Sequence, residues 1–224
     1  MKGYRSVFSF RYGIFDMDGT LIDSMQPCLK IFADLVASYG LDEAAARDSF
    51  AAATSAKLTD IFRQTINAAG DNPTDKEIAS LFLEFERRIR LVPIDYLAGA
   101  KRLLRALAGK GVTIFVSSGS PDETVSRRLG SELARGRFKL TLGSTAIPKG
   151  PLHIQAFADA AGVCITEFAR DCFYCGDSEM DMLIGHRFDL YTVGVLGTIT
   201  AERLRAAGAR RVIPGIDALL ADPR

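Results

Sequence analysis

Read by the spacing of its apolar positions, the chain changes character twice. Tyr12-Gly-Ile-Phe-Asp16 is a short apolar run that ends in an acidic, glycine-bearing turn, Asp16-Met-Asp-Gly-Thr20, and reads as a strand. Behind it the period becomes helical. Leu29, Phe32, Ala33, Val36 and Tyr39 recur one and two turns apart, and Gly40 stops them. Leu58, Ile61, Phe62, Ile66 and Ala69 share a second face, closed by Gly70. Thr74-Asp-Lys-Glu77 is a capping box, and Ile78, Leu81, Phe82, Phe85 and Ile89 form the face that follows it. The stretch from 24 to 92 therefore reads as all-helical.

From Gly99 the pattern alternates. Leu103, Leu104 and Leu107 mark a helix that ends around Gly109 to Gly111, and Val112-Thr-Ile-Phe-Val116 is a β-branched apolar strand. Ser120-Pro-Asp-Glu123 reads as a second capping box, with Pro121 at the first helical position. Strands are expected near Lys139 to Leu142, Cys172 to Cys175 and Tyr191 to Val195, with a helix near Ile154 to Ala161. Strands alternating with helices imply an α/β fold, a Rossmann-like parallel sheet covered on both faces. The expected organisation is a core of residues 1–22 and 95–224. An all-helical insertion, 23–94, of about seventy residues would interrupt it after the first strand. In such sheets ligands bind at the carboxyl ends of the strands.

Composition narrows the classes. The 224 residues carry 28 basic and 27 acidic side chains, a balance that gives no reason to expect nucleic acid or a membrane surface as partner. No apolar run is long enough to span a bilayer. Met1 to Tyr12 is basic and aromatic without the continuous apolar stretch of a signal peptide, so a cytoplasmic protein is expected. Cys172 and Cys175 form a CxxC, but on a strand residues i and i+3 point to opposite faces. They read as core thiols rather than as a metal or redox pair.

Chemistry concentrates at the expected strand ends. Asp16 and Asp18 face one cleft, and Gly19 permits a tight turn beside a ligand. Two close carboxylates repel unless a cation or a proton is shared, and hard oxygen ligands suit Mg²⁺. Val116-Ser-Ser-Gly-Ser120 offers donors to an anion at a strand-to-helix turn. Lys149 lies in a stiff Pro-Lys-Gly-Pro loop before a helix, and its ammonium suits phosphate. Gly176-Asp-Ser-Glu-Met-Asp181 places Asp177 at a strand end and Asp181 one helical turn later, both within reach of a metal. Taken singly, each has a bland alternative: an acidic turn, a helix cap, a surface lysine.

Their order is more specific. Asp16 and Asp18, then Ser117, then Lys149, then Asp177 with Asp181 resemble the four motifs of the haloacid dehalogenase superfamily over nearly the whole chain. The resemblance implies a Mg²⁺-dependent phosphatase acting on a small phosphorylated metabolite. Asp16 would be the nucleophile and Asp18 the acid/base, with Ser117 and Lys149 on the phosphoryl oxygens. Asp16, Asp177, Asp181 and the Asp18 carbonyl would surround the metal. It also implies Gly19, Thr20, Ser118 and Gly119 beside the substrate. Relatives often carry Asn after the motif-two hydroxyl, whereas Ser118 and Gly119 follow here, so side-chain contacts there stay open. The helical insertion resembles the family's mobile cap, and Lys57, after Ala53-Thr-Ser-Ala56, resembles a specificity-loop residue. An acid at Asp18 argues for phosphate rather than carbon–halogen chemistry. A β-phosphoglucomutase-like phosphotransferase, a phosphonoacetaldehyde hydrolase and a phosphate-binding regulatory protein are the alternatives. No protein partner is indicated. His153 and His186 have no partner spacing and read as structural, and the Arg87, Arg88, Arg90 run is assigned no role.

Overall fold

The computed structural model describes residues 4–52, 57–197 and 199–223, so Ala53 to Ala56 of the expected specificity loop lie outside the described residues. By its contacts the chain divides into two compact units, Met1–Ile22 with Tyr96–Arg224, and Asp23–Asp95. Strand β1 (Tyr12–Phe15) opens the first unit. Helices α1 (Met25–Val36), α2 (Glu43–Ala52), α3 (Leu58–Ala68) and α4 (Asp75–Leu91) make up the second. The chain then alternates through α5 (Ala100–Gly109), β2 (Thr113–Ser117), α6 (Asp122–Ala134), β3 (Leu140–Leu142) and α7 (Pro151–Ala161). It continues with α8 (Ile165–Arg170), β4 (Cys172–Gly176), α9 (Glu179–Arg187), β5 (Tyr191–Val195), α10 (Ala201–Ala206) and β6 (Arg211–Ile213).

The helical unit has its own core. Phe32, Phe62, Phe85, Ile66, Ile78 and Ile89 are buried together, and the Phe32 and Phe62 rings stack at 4.8 Å. These are the apolar positions that the periodicity selects. The α4 capping box forms as expected: Thr74 Oγ1 accepts from the Glu77 amide, and Glu77 Oε2 accepts from the Thr74 amide.

In the other unit the strands form one six-stranded sheet in the order β3-β2-β1-β4-β5-β6, parallel throughout. The chain leaves β1 toward β2 and β3, then returns to the other side of β1 for β4. The point where strand order reverses therefore lies beside β1, and in open α/β sheets the binding crevice forms at this place. Burial on both faces explains the near-continuous apolar strands. Tyr12, Phe115, Phe157, Phe168 and Tyr174 pack on one face, and Cys172 is buried among them as a free thiol; Cys175 is also buried and free.

One expected element is corrected. Ser120 does not cap α6. The N-terminal residue before that helix is Pro121, with no side-chain cap hydrogen bond. The Ser120 hydroxyl donates instead to Asp18 Oδ2 at 2.8 Å, and the Asp122 amide is satisfied by Thr145 Oγ1. A charged acceptor outcompetes a helix terminus whose amides have another partner. The short elements α8, α10 and β6 carried no clear periodic pattern and were not expected.

The tightest backbone approach in the sheet is at Gly13 of β1, where a Cβ would lie 2.4 Å from Phe173 Cζ. Phe173 is wedged between Phe10 and Phe15 and has nowhere to swing. Gly13→Ala is therefore expected to destabilise the protein by about 2 kcal/mol. A urea midpoint unchanged from wild type would contradict this packing.

Candidate active site

Three strands deliver their ends to one place. β1 hands over to Asp16, whose amide still donates to Cys175 O at 2.9 Å, so Asp16 continues the ladder one step. The chain then folds back: the Leu21 and Ile22 amides donate to Met17 O, and Gly19 takes the left-handed conformation at φ 76°. β4 ends at Gly176, followed by Asp177 and the α9 capping box, in which Ser178 Oγ accepts from the Asp181 amide and donates to Asp181 Oδ2. A side chain at position 176 would collide with Asp181, whose Oδ2 lies 2.5 Å from where its Cβ would sit. Glycine is what lets the Asp181 carboxylate lie against the strand end.

The result is a buried acidic cluster. Asp16, Asp177 and Asp181 bring carboxylate oxygens within 4.8 Å of one another. Lys149 Nζ bridges Asp16 Oδ1 and Asp181 Oδ1, each at 2.6 Å, with its side chain only 14 % exposed. Tyr174 Oη also donates to Asp181 Oδ1, at 2.9 Å, and Thr20 Oγ1 stands 3.5 Å from Asp177 Oδ1.

Burial drives the Asp16 carboxyl well above its usual range; the Lys149 ammonium opposes this, and Asp181, Asp177 and Asp18 add to it. Burial also works against the Lys149 charge, but Asp16 and Asp181 outweigh it and hold the ammonium well above its ordinary range. The lysine is thus a resident cation, and the surplus is negative. Three carboxylates face one ammonium, so the cluster with all its acids ionised carries two uncompensated negative charges. A divalent cation balances that charge, and the all-oxygen donor set suits Mg²⁺.

Asp18 is placed differently. Its Oδ1 pairs with Arg128 Nη1 of α6 and its Oδ2 accepts from Ser120, while its side chain remains 25 % exposed. Ser117, the last residue of β2, is buried, and its hydroxyl lies 2.9 Å from His153 Nδ1. Ser118 is also buried, with its amide on Leu142 O and its hydroxyl accepting from the Ser120 amide. Gly119 O accepts from Ser144 Oγ, and the place of a Cβ at Gly119 is open. Lys57 belongs to the helical unit, exposed at the N-terminus of α3.

Of the residues expected from sequence, Asp16, Lys149, Asp177 and Asp181 come together in one cluster, while Asp18 and Ser117 have other partners that the sequence does not announce. Arg128 lies 110 residues from Asp18, and nothing local marks it. Tyr174 reads as a plain strand residue. His153, read as structural, touches Ser117.

The haloacid dehalogenase-like hydrolase family matches residues 13–195. A 5′-nucleotidase of Pseudomonas aeruginosa is 29 % identical over 201 residues, covering 86 % of this chain and 86 % of that protein. Among solved structures, a predicted phosphoglycolate phosphatase from Haemophilus somnus superposes with a TM-score of 0.78 at 18 % identity, over 95 % of this chain and 97 % of the other. A predicted phosphatase from Clostridium acetobutylicum gives 0.73 at 19 % identity, over 94 % and 96 %.

Because burial and its neighbours raise the Asp16 carboxyl, a bound cation must displace a proton as pH falls toward that raised value. Mg²⁺ affinity measured by titration calorimetry is expected to weaken as pH is lowered, with proton release to the buffer. The loss sets in above the ordinary carboxylate range because the Asp16 shift is upward. Asp177→Asn should abolish the rise in unfolding temperature that Mg²⁺ gives. A pH-independent affinity would mean that the cation sits elsewhere.

Proposed function

The chain belongs to the haloacid dehalogenase-like hydrolase family, and from that premise we propose that it is a Mg²⁺-dependent phosphatase of small phosphorylated metabolites with Asp16 as nucleophile. The observation that carries the proposal is the Lys149 ammonium bridging Asp16 and Asp181 inside the buried acidic cluster. A carboxylate kept beside a fixed cation, at the strand end where a phosphoryl group would dock, is placed for attack and for charge neutralisation at once.

Lys149 occupies Asp16 Oδ1, and Oδ2 is assigned the attack on phosphorus. As that bond forms, the bond from phosphorus to the leaving oxygen breaks, and Asp18 gives that oxygen a proton. The aspartyl-phosphate is then cleaved by a water whose proton returns to Asp18, restoring both carboxyl groups. Asp16 and Asp177, with Asp181 and the Asp18 carbonyl beside them, would hold Mg²⁺, which would supply neutralisation of the phosphoryl charge. Ser117 and Lys149 hold phosphoryl oxygens. Gly19 and Thr20 shape the turn beside them, and Ser118 and Gly119 line the β2 end. The 5′-nucleotidase relative puts nucleoside 5′-monophosphates first among candidate substrates, followed by phosphoglycolate and sugar phosphates.

Hydrolysis of p-nitrophenyl phosphate is expected to require Mg²⁺ and to vanish in Asp16→Asn, after which a phosphometabolite panel ranks substrates. Activity that survives Asp16→Asn, or needs no metal, would remove the proposal. Asp18→Asn should lower kcat on alkyl phosphates by about 10²- to 10⁴-fold and on the nitrophenyl ester by less, because nitrophenolate leaves without a proton. Arg128→Ala, which releases Asp18 from its clamp, should cost about ten- to hundredfold in kcat with KM little changed. Equal losses for the two ester types in Asp18→Asn would deny it the acid role.

A further inference from the structure

His153 is fully buried in the first turn of α7, and both ring nitrogens have partners. Nε2 lies 3.0 Å from Ile147 O, and Nδ1 lies 2.9 Å from Ser117 Oγ. A carbonyl oxygen only accepts, so Nε2 carries a hydrogen. Burial lowers the ring's proton affinity below that of an ordinary histidine. The Ile147 and Gly143 carbonyls and the Asp122 carboxylate oppose this, and the Lys149 ammonium adds to it. The Phe157 ring of α7 also meets the imidazole edge-on and carries no charge. The resting ring is therefore the neutral Nε2–H tautomer with a lone pair on Nδ1. That lone pair competes with the neighbouring Tyr174 oxygen for the one hydrogen that Ser117 has, and a hydroxyl engaged with the ring has none left for an anion at the strand end.

A second proton on the ring reverses this. Nδ1–H then donates to Ser117 Oγ, and the serine hydrogen turns outward. We propose that His153 is a positioning residue for anion capture: by taking one proton from solvent it releases the Ser117 hydroxyl hydrogen to an anion bound at the ends of β1 and β2. The inference deepens the phosphatase reading and rests on it, because that reading makes Ser117 an anion contact. By linkage, an anion that needs the released hydrogen raises the ring's affinity for its proton, and lower pH tightens the anion by the same factor. Affinity is flat at high pH, strengthens as pH falls through the ring's pKa in the anion-bound state, and levels off below its pKa in the free state.

The chain has two histidines, and His186 is exposed, so imidazole ¹⁵N spectra resolve His153 against an internal reference. Sulfate is the probe, with Mg²⁺ present, because it stays a dianion throughout. At about pH 7, saturating sulfate should move the His153 Nδ1 resonance toward imidazolium and leave His186 in place. With Mg²⁺ kept saturating at each pH, sulfate affinity should rise about fivefold from about pH 8 to pH 6. His153→Asn, whose amide oxygen accepts from Ser117 but takes up no proton, should lose most of that rise. Ser117→Ala should bind sulfate weakly and show no His153 response. Sulfate binding that depends on Ser117 while His153 stays neutral, or a pH dependence retained in His153→Asn, overturns the proposal and leaves the phosphatase reading standing. Sulfate binding indifferent to Ser117, or absent, overturns the proposal at its premise; failure of Asp16-dependent dye hydrolysis in wild type identifies the phosphatase reading itself as the fault.

Discussion

Three carboxylates buried within a few ångström of each other set the terms for the rest of this site. Left alone they would repel and either take up protons or pull the strand ends apart. The fold answers with one ammonium, one phenol and a helix cap. Lys149 reaches in from the loop before α7 and Tyr174 from inside β4, while Ser178 ties the far oxygen of Asp181 to the start of α9. Asp181 is thereby fixed on both oxygens and acts as the rigid wall of the cluster. Asp16 keeps its cation on one oxygen. That arrangement depends on β1 and β4 being neighbours, so the strand order that puts the sheet's reversal beside β1 is also what assembles the charge.

The compensation is incomplete. One lysine cannot neutralise three acids, and the Asp16 carboxyl is pushed up first by burial and then by the neighbouring carboxylates. A divalent cation would relieve such a site electrostatically as well as by coordination. A phosphoryl dianion would be favoured there only together with that cation, since alone it would meet surplus negative charge.

The α/β class and the strand-end acids were legible because each lies next to its own structural cue. Asp16 ends an apolar run, Asp177 follows one, and Lys149 is framed by prolines. What could not be read is whatever depends on which strands become neighbours. Arg128 meets Asp18 only after α6 has packed beside the β1 turn, and His153 meets Ser117 only because α7 starts under the end of β2. Ser120 shows the same limit from the other side. Its local sequence spells a helix cap, yet a carboxylate more than a hundred residues away takes its hydroxyl. A local pattern predicts a local partner until a stronger one arrives through tertiary structure.

Asp16 and Asp18 stand two residues apart, yet the structure gives them opposite surroundings. Asp16 is sealed in with a lysine and two further acids. Asp18 stands at the edge, a quarter exposed, gripped by a guanidinium and a hydroxyl. Two carboxyl groups in different environments are what a reaction needs when one must bond to phosphorus and the other must exchange protons with leaving group and water. The same asymmetry weighs against a protein that stores phosphate on Asp16 as a signal. An acyl-phosphate persists when water is kept from it and no base stands near. Were Asp16 to carry a phosphoryl group, the partly exposed Asp18 carboxylate two residues away, held by Ser120 and by Arg128 of α6, would favour turnover over storage.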